Sequence, residues 1–213
     1  MPLWGFAALM LFLTGGLLLG ERRKSQALKW LFKPLNSAAF LAAALSFGAL
    51  GSPYGVVLLV ALALSWWGDV LLIPYGQGRA FLVGILSFLM AHLAFGVAFL
   101  VRGVEWGAVG AASCALAVAG AVVLRWLLPQ VRHPFKLPVV AYTCILSIMV
   151  ALAVGAWWAG APHTLLVAAL MFYASDLSVA LDRFVQPSFF HRLWGMPTYF
   201  GAQLLFAATL LPP

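Results

Sequence analysis

Eight apolar runs follow one another along this chain, each near the length of a membrane crossing and separated only by short polar breaks. They span residues 3–20, 35–50, 54–73, 80–101, 106–128, 137–158, 163–183 and 194–211. Crossing about 30 Å of hydrocarbon at about 1.5 Å per residue takes roughly 20 helical residues. The second run is the shortest, lying between Pro34 and Gly51-Ser52-Pro53, which leaves a re-entrant segment and a total of seven crossings open. The composition agrees: 65% of the 213 residues are apolar and 8% charged. A soluble domain carries about a quarter charged residues, so there is too little polar surface here to cover one. Strict alternation is absent, which excludes a membrane β-barrel. The expected fold is all-α: a polytopic transmembrane bundle of eight spans, forming a single transmembrane domain over residues 1–213.

The net charge of +7 would suggest nucleic acid in a soluble protein. Here the basic residues cluster at segment ends, with no long basic stretch, so no nucleic-acid partner is expected. Eleven of the twelve lie in, or at the run ends beside, the breaks that fall on one side: Arg22, Arg23, Lys24, Lys29, Lys33, Arg79, Arg125, Arg132, Lys136, Arg183 and Arg192. Only Arg102 falls on the other. The positive-inside rule makes the eleven-residue side cytoplasmic and places both termini on the non-cytoplasmic side. The basic cluster at 22–24 follows the first run, as expected for a first transmembrane helix and not for a cleaved signal peptide. The expected location is a cell membrane, multi-pass, of bacterial inner-membrane type. Cys114 and Cys144 stand alone in apolar runs and read as small core residues; Gly16 and Gly20 read as a close helix-packing pair.

Ionisable groups inside the bilayer carry most of the functional signal. Each costs roughly 2.5–3.5 kcal/mol near a helix centre, so it faces a bundle interior or a watery cavity. Asp69 (in SWWGDVLL), His92 (FLMAHLAF) and Asp176 (FYASDLSVALDRF) stand well inside their runs. Ser65 is one turn from Asp69, Tyr173 one turn from Asp176, and Tyr199 and Gln203 form an i, i+4 polar pair in the last run. Asn36 begins the second run beside Lys33. These groups fall at similar depth, and one shared cavity open to the cytoplasmic leaflet accounts for them. Lys33, Arg79, His191 and Arg192 would ring its mouth, suiting an anionic lipid head group. Asp182 beside Arg183 reads as an interfacial ion pair or cap. There is no HExxH, Cys pair or second intramembrane His to hold a metal, and no GxSxG elbow.

SWWGDVLL (65–72), FLVGILSFLMAHLAF (81–95), FYASDLSVALDRF (172–184) and PTYFGAQLL (197–205), with Lys33-Pro34-Leu35, together resemble the YhhN-like lysoplasmalogenase family of membrane proteins. The likeness covers nearly the whole chain in order. Phe95 and Asp182 depart from the family pattern, where Tyr and Asn are common. The resemblance implies hydrolysis of the vinyl ether of a lysoplasmalogen, giving a fatty aldehyde and glycerophosphocholine or glycerophosphoethanolamine, with no cofactor. Such chemistry needs one carboxyl kept protonated to deliver a proton to carbon. It also needs a second, negative or basic group to stabilise the resulting cation and activate water. Asp69 and Asp176 are the expected pair, with either as the acid, and His92 as relay. Tyr199, Gln203, Ser65, Tyr173 and Asn36 would position the substrate, while Lys33, Arg79 and Arg192 hold its phosphate. The expected partners are this lysophospholipid and the bilayer itself. The competing class is a small proton-coupled transporter or lipid carrier, in which buried Asp and His are equally at home.

Overall fold

A computed structural model describes residues 1–74 and 78–212. Residues 75–77, within the expected 74–79 break, lie outside the described residues. Among those described there are eight long α-helices and no strand: α1 (Leu3–Arg22), α2 (Gln26–Ser46), α3 (Pro53–Leu71), α4 (Arg79–Arg102), α5 (Trp106–Leu127), α6 (Lys136–Trp158), α7 (His163–Ala180) and α8 (Phe189–Ala208). Six of them are long and apolar enough to cross a membrane; α2 and α8 fall short because they carry the polar residues of the interior.

The helices form four consecutive antiparallel hairpins, α1–α2, α3–α4, α5–α6 and α7–α8, and α8 closes the bundle against α1 and α2. Short connections make sequence neighbours spatial neighbours. The core is a stack of aromatics: Phe95 lies on Phe206 with ring centroids 4.3 Å apart, and Phe172 stands edge-on to Phe95 at 5.9 Å. Helix α5 packs on α6 and buries little beyond Gly120 and Leu127, leaving an Ala- and Val-rich outer face. Cys114 and Cys144 are exposed, not core; helices that meet lipid need no polar outer face, so small residues there carry no burial signal.

The second helix departs most from the sequence expectation. It starts at Gln26, nine residues before the expected run, because Ser25 caps it by accepting from the Leu28 N–H. Pro34 lies inside it. Proline has no N–H, so the carbonyl one turn back loses its helical donor, while the Pro34 carbonyl itself accepts from Trp66 Nε1. Lys29 and Lys33 are therefore helical and directed inward, not loop charges. The last helix likewise starts five residues early, at a Ser188 cap, and contains Pro197. The seventh ends in a π-helical turn, Leu181–Val185.

Small residues set the helix spacing. A Cβ at Gly16 would meet the Phe32 ring and one at Gly20 the Leu28 side chain, so the Gly16/Gly20 pair does mark close packing of α1 on α2. At the α7–α8 crossing a Cβ on Gly195 would overlap Ser178 Oγ. Gly195→Ala should destabilise the protein by about 1–3 kcal/mol, read as a lowered unfolding temperature in detergent. An unchanged temperature would mean that α7 and α8 can separate at this crossing without loss.

Candidate active site

One cavity of about 210 Å³ lies in the half of the bundle bounded by the α1–α2, α3–α4, α5–α6 and α7–α8 connections. Its lining is amphiphilic. Charged and hydroxyl groups come from α1, α2, α3, α7, α8 and the π turn, with Tyr142 and Thr143 from α6; the apolar side chains include Val123 and Leu127 of α5 and Val139 and Leu146 of α6. Two carboxyl clusters face it.

Asp69, 2% exposed near the end of α3, forms the first. Its Oδ2 accepts from Ser37 Oγ and from the Tyr199 hydroxyl, each at 2.6 Å, and its Oδ1 lies 3.3 Å from Lys33 Nζ. Lys33 and Ser37 are one turn apart on α2, so a single helix face presents both. Two hydroxyl donors and an ammonium are the partners of an ionised carboxylate, since all three can give a proton and none of these contacts asks for one.

Asp176, on α7, forms the second. Its Oδ2 accepts from the Tyr142 hydroxyl at 2.9 Å and lies 3.1 Å from His92 Nε2, at ion-pair distance but outside hydrogen-bond alignment. His92 Nδ1 is 2.6 Å from the Phe88 carbonyl one turn back on α4. A carbonyl only accepts, so Nδ1 carries a hydrogen. Nε2 then faces the Asp176 carboxyl, and two lone pairs at that distance would repel. A proton on either atom relieves that repulsion. Here His92 Nε2 is turned toward a carboxyl, whereas Asp69 already accepts from two hydroxyls and lies beside an ammonium. Phe172 stands between the two, 4.5 Å from the His92 ring and 5.5 Å from that of Tyr199.

The remaining sequence candidates separate. Tyr173 and Arg192 line the cavity together with Asp69, Asp176, Tyr199 and Lys33. The Arg192 guanidinium is engaged by two carboxylates, Asp182 at 3.0 Å and Glu21 at 2.6 Å. Asp182 thus pairs with Arg192, not with its neighbour Arg183, and also accepts from the Ser188 N–H at the start of α8. Arg183 instead donates to the Leu72 carbonyl and lies over the Phe81 ring.

His92, Ser65, Asn36, Gln203 and Arg79 do not line the cavity. Ser65 Oγ is turned back onto its own helix at Ala61 O, and Asn36 Nδ2 bonds Thr14 Oγ1, tying α2 to α1. Gln203 is fully buried one turn beyond Tyr199, and Arg79 is exposed at the start of α4. Sequence reasoning passed over Tyr142, Ser37, Glu21 and Lys29. Tyr142 and Ser37 had a readable signal, a hydroxyl at the depth of the aspartates. Ser37 is also one turn from Lys33. Among the described residues no three of His, Cys, Asp and Glu gather into a metal-binding group.

Comparison with known proteins gives a consistent set. Residues 28–210 match the YhhN family. The chain is 31% identical over 186 residues to lysoplasmalogenase TMEM86A of Bos taurus, covering 84% of this chain and 71% of that protein. The protein of the same name from Homo sapiens shows the same identity and coverage. To lysoplasmalogenase of Mycobacterium bovis it is 36% identical over 160 residues, covering 69% of this chain and 58% of the relative. No solved structure matches the chain.

Proposed function

The chain belongs to the YhhN family, and from that premise we propose that it is a lysoplasmalogenase: a multi-pass membrane hydrolase that opens the vinyl ether of a lysoplasmalogen to a fatty aldehyde and a glycerophospho-alcohol, glycerophosphocholine or glycerophosphoethanolamine. The observation that carries the mechanism is the pair of unlike carboxyl clusters on one amphiphilic cavity. All eight helices cross the bilayer in this reading, with both termini on the non-cytoplasmic side and the cavity opening toward the cytoplasmic leaflet of the cell membrane. The basic connections at that end support it.

Hydrolysis of a vinyl ether begins with proton transfer to the carbon distal to oxygen, leaving an oxocarbenium ion. Water then adds to the carbon bonded to oxygen, and the hemiacetal collapses to aldehyde and alcohol. The Asp176–His92 pair holds the proton that the first step consumes, and Tyr142 fixes the carboxyl that delivers it. Asp69 is the negative group for the second step. It faces the developing cation and takes the proton of the attacking water through Tyr199, whose hydroxyl it already holds. When the hemiacetal breaks down, that proton goes to the leaving alkoxide, and the proton that the hemiacetal hydroxyl releases as the aldehyde forms returns to Asp176. The glycerol and ether occupy the polar pole of the cavity, and the alkenyl chain lies along the apolar side chains of α5, α6 and α7.

The test is aldehyde release from a synthetic lysoplasmalogen by the purified protein in detergent, with an ester lysophospholipid as control. Aldehyde from the vinyl ether only, at the same rate with and without a chelator, is the expected result. Loss of activity with chelator would replace the two-carboxyl mechanism by a metal-dependent one. No turnover by folded protein would remove the activity altogether.

A further inference from the structure

Four charged side chains of alternating sign close the cavity where α1, α2, the π turn and α8 meet. Glu21 Oε2 lies 3.1 Å from Lys29 Nζ and 2.6 Å from Arg192 Nη1. Arg192 Nε and Nη2 lie 3.1 and 3.0 Å from Asp182 Oδ2. The four side chains are only 6–17% exposed, and all line the same cavity as Asp69 and Asp176. Asp182 lies in the π turn and is buried there. Single π turns of this kind recur at functional sites. The proton-transfer chemistry uses none of these four groups.

We infer that this network selects the substrate's head group, with Glu21 and Asp182 taking a cationic amine while Lys29 and Arg192 take the phosphate. The inference rests on the lysoplasmalogenase reading of the cavity and adds to it the residues that select an amine-bearing head group. Charge balance in a low-dielectric site separates the two kinds of head group. A purely anionic head group would draw Lys29 and Arg192 away from their carboxylates and leave Glu21 and Asp182 buried beside each other without counter-charge, a costly arrangement. A zwitterionic head group exchanges each internal partner for one of its own: phosphate for carboxylate on the bases, ammonium for base on the acids. The site therefore rejects the amine-free lipid through its own stranded acids, which is discrimination by penalty as much as by attraction.

The experiment compares lysoplasmalogens bearing phosphoethanolamine and phosphoglycerol head groups on the full chain and on Glu21→Gln and Asp182→Asn. Both substitutions keep shape, and in Asp182→Asn the amide oxygen can still accept from the Ser188 N–H. The wild-type protein should favour the ethanolamine lipid by about tenfold or more in kcat/KM. Each variant should raise KM for that lipid, leave kcat unchanged and erase most of the preference. Equal wild-type rates on the two lipids, or variants that slow both lipids alike, would overturn the inference. Thermal stabilisation by the ester lysolipids with the same two head groups reads binding without cleavage. If no lysoplasmalogen is turned over, the proposed activity fails, and the head-group inference is then decided by whether the ethanolamine lysolipid stabilises the wild-type protein more. Equal stabilisation would end it. The wild-type arms decide the matter even if a variant fails to fold.

Discussion

Asp176→Asn should lower kcat for aldehyde release by about 10²- to 10⁴-fold, the range typical of a lost general acid, while the protein remains folded. The carboxamide has the same shape and can still accept from the Tyr142 hydroxyl, so the α6–α7 contact survives. It cannot deliver a proton to carbon, and it no longer offers His92 Nε2 a partner with which to share one. Tyr142→Phe, which removes only the group that fixes the carboxyl, should cost much less. Both effects belong in kcat, because neither residue is assigned to the head group. Initial aldehyde rates alongside an unfolding temperature separate chemistry from folding. Wild-type turnover by folded Asp176→Asn would end the assignment of this carboxyl as the acid.

The second large effect is on stability. Lys33→Met leaves the Asp69 carboxylate without its ammonium in a nearly closed site and should cost about 3–5 kcal/mol, the range for stranding one member of a buried pair. Asp69→Asn should cost less. The Lys33 side chain is 15% exposed against 3% for Asp69, and its flexible stem can carry the charge toward the cavity. The double variant should be more stable than the two single losses sum to, because it leaves no charge unpaired. It should nonetheless be inactive, since the negative group facing the cation is gone. Reversible unfolding of the four proteins in mixed micelles gives the coupling, and aldehyde release gives the activity. Additive losses would show that Lys33 and Asp69 do not depend on each other, and an active double variant would take Asp69 out of the chemistry.

These two experiments address groups that differ in how openly the sequence displays them. Asp69, His92 and Asp176 stand out in apolar runs because a charge there is costly wherever the helix packs, so their importance is a local property. Their division of labour is not. Whether an aspartate is met by Lys33, Ser37 and Tyr199 or faces His92 depends on which helices are neighbours, and on residues such as Ser37, Tyr199 and His92, which lie 32, 130 and 84 positions away in the chain. Arg192 shows the same limit. Read along the chain it is a basic residue at a segment end, suited to hold phosphate directly. In the fold it is bound by Glu21, 171 residues away, and by Asp182.

The apolar runs alone determined an all-helical chain with helices at eight places, because run length and hydropathy are sums over neighbouring residues. Only the tertiary structure decided that the second helix begins at Gln26 and carries Lys29 and Lys33 through Pro34 into the interior. Hydropathy ends a helix at such a cluster of charge and proline. The fold continues it because Asp69 and Glu21 neutralise the lysines. A buried charge is tolerated according to its partner, and the partner becomes visible only once the helices are packed.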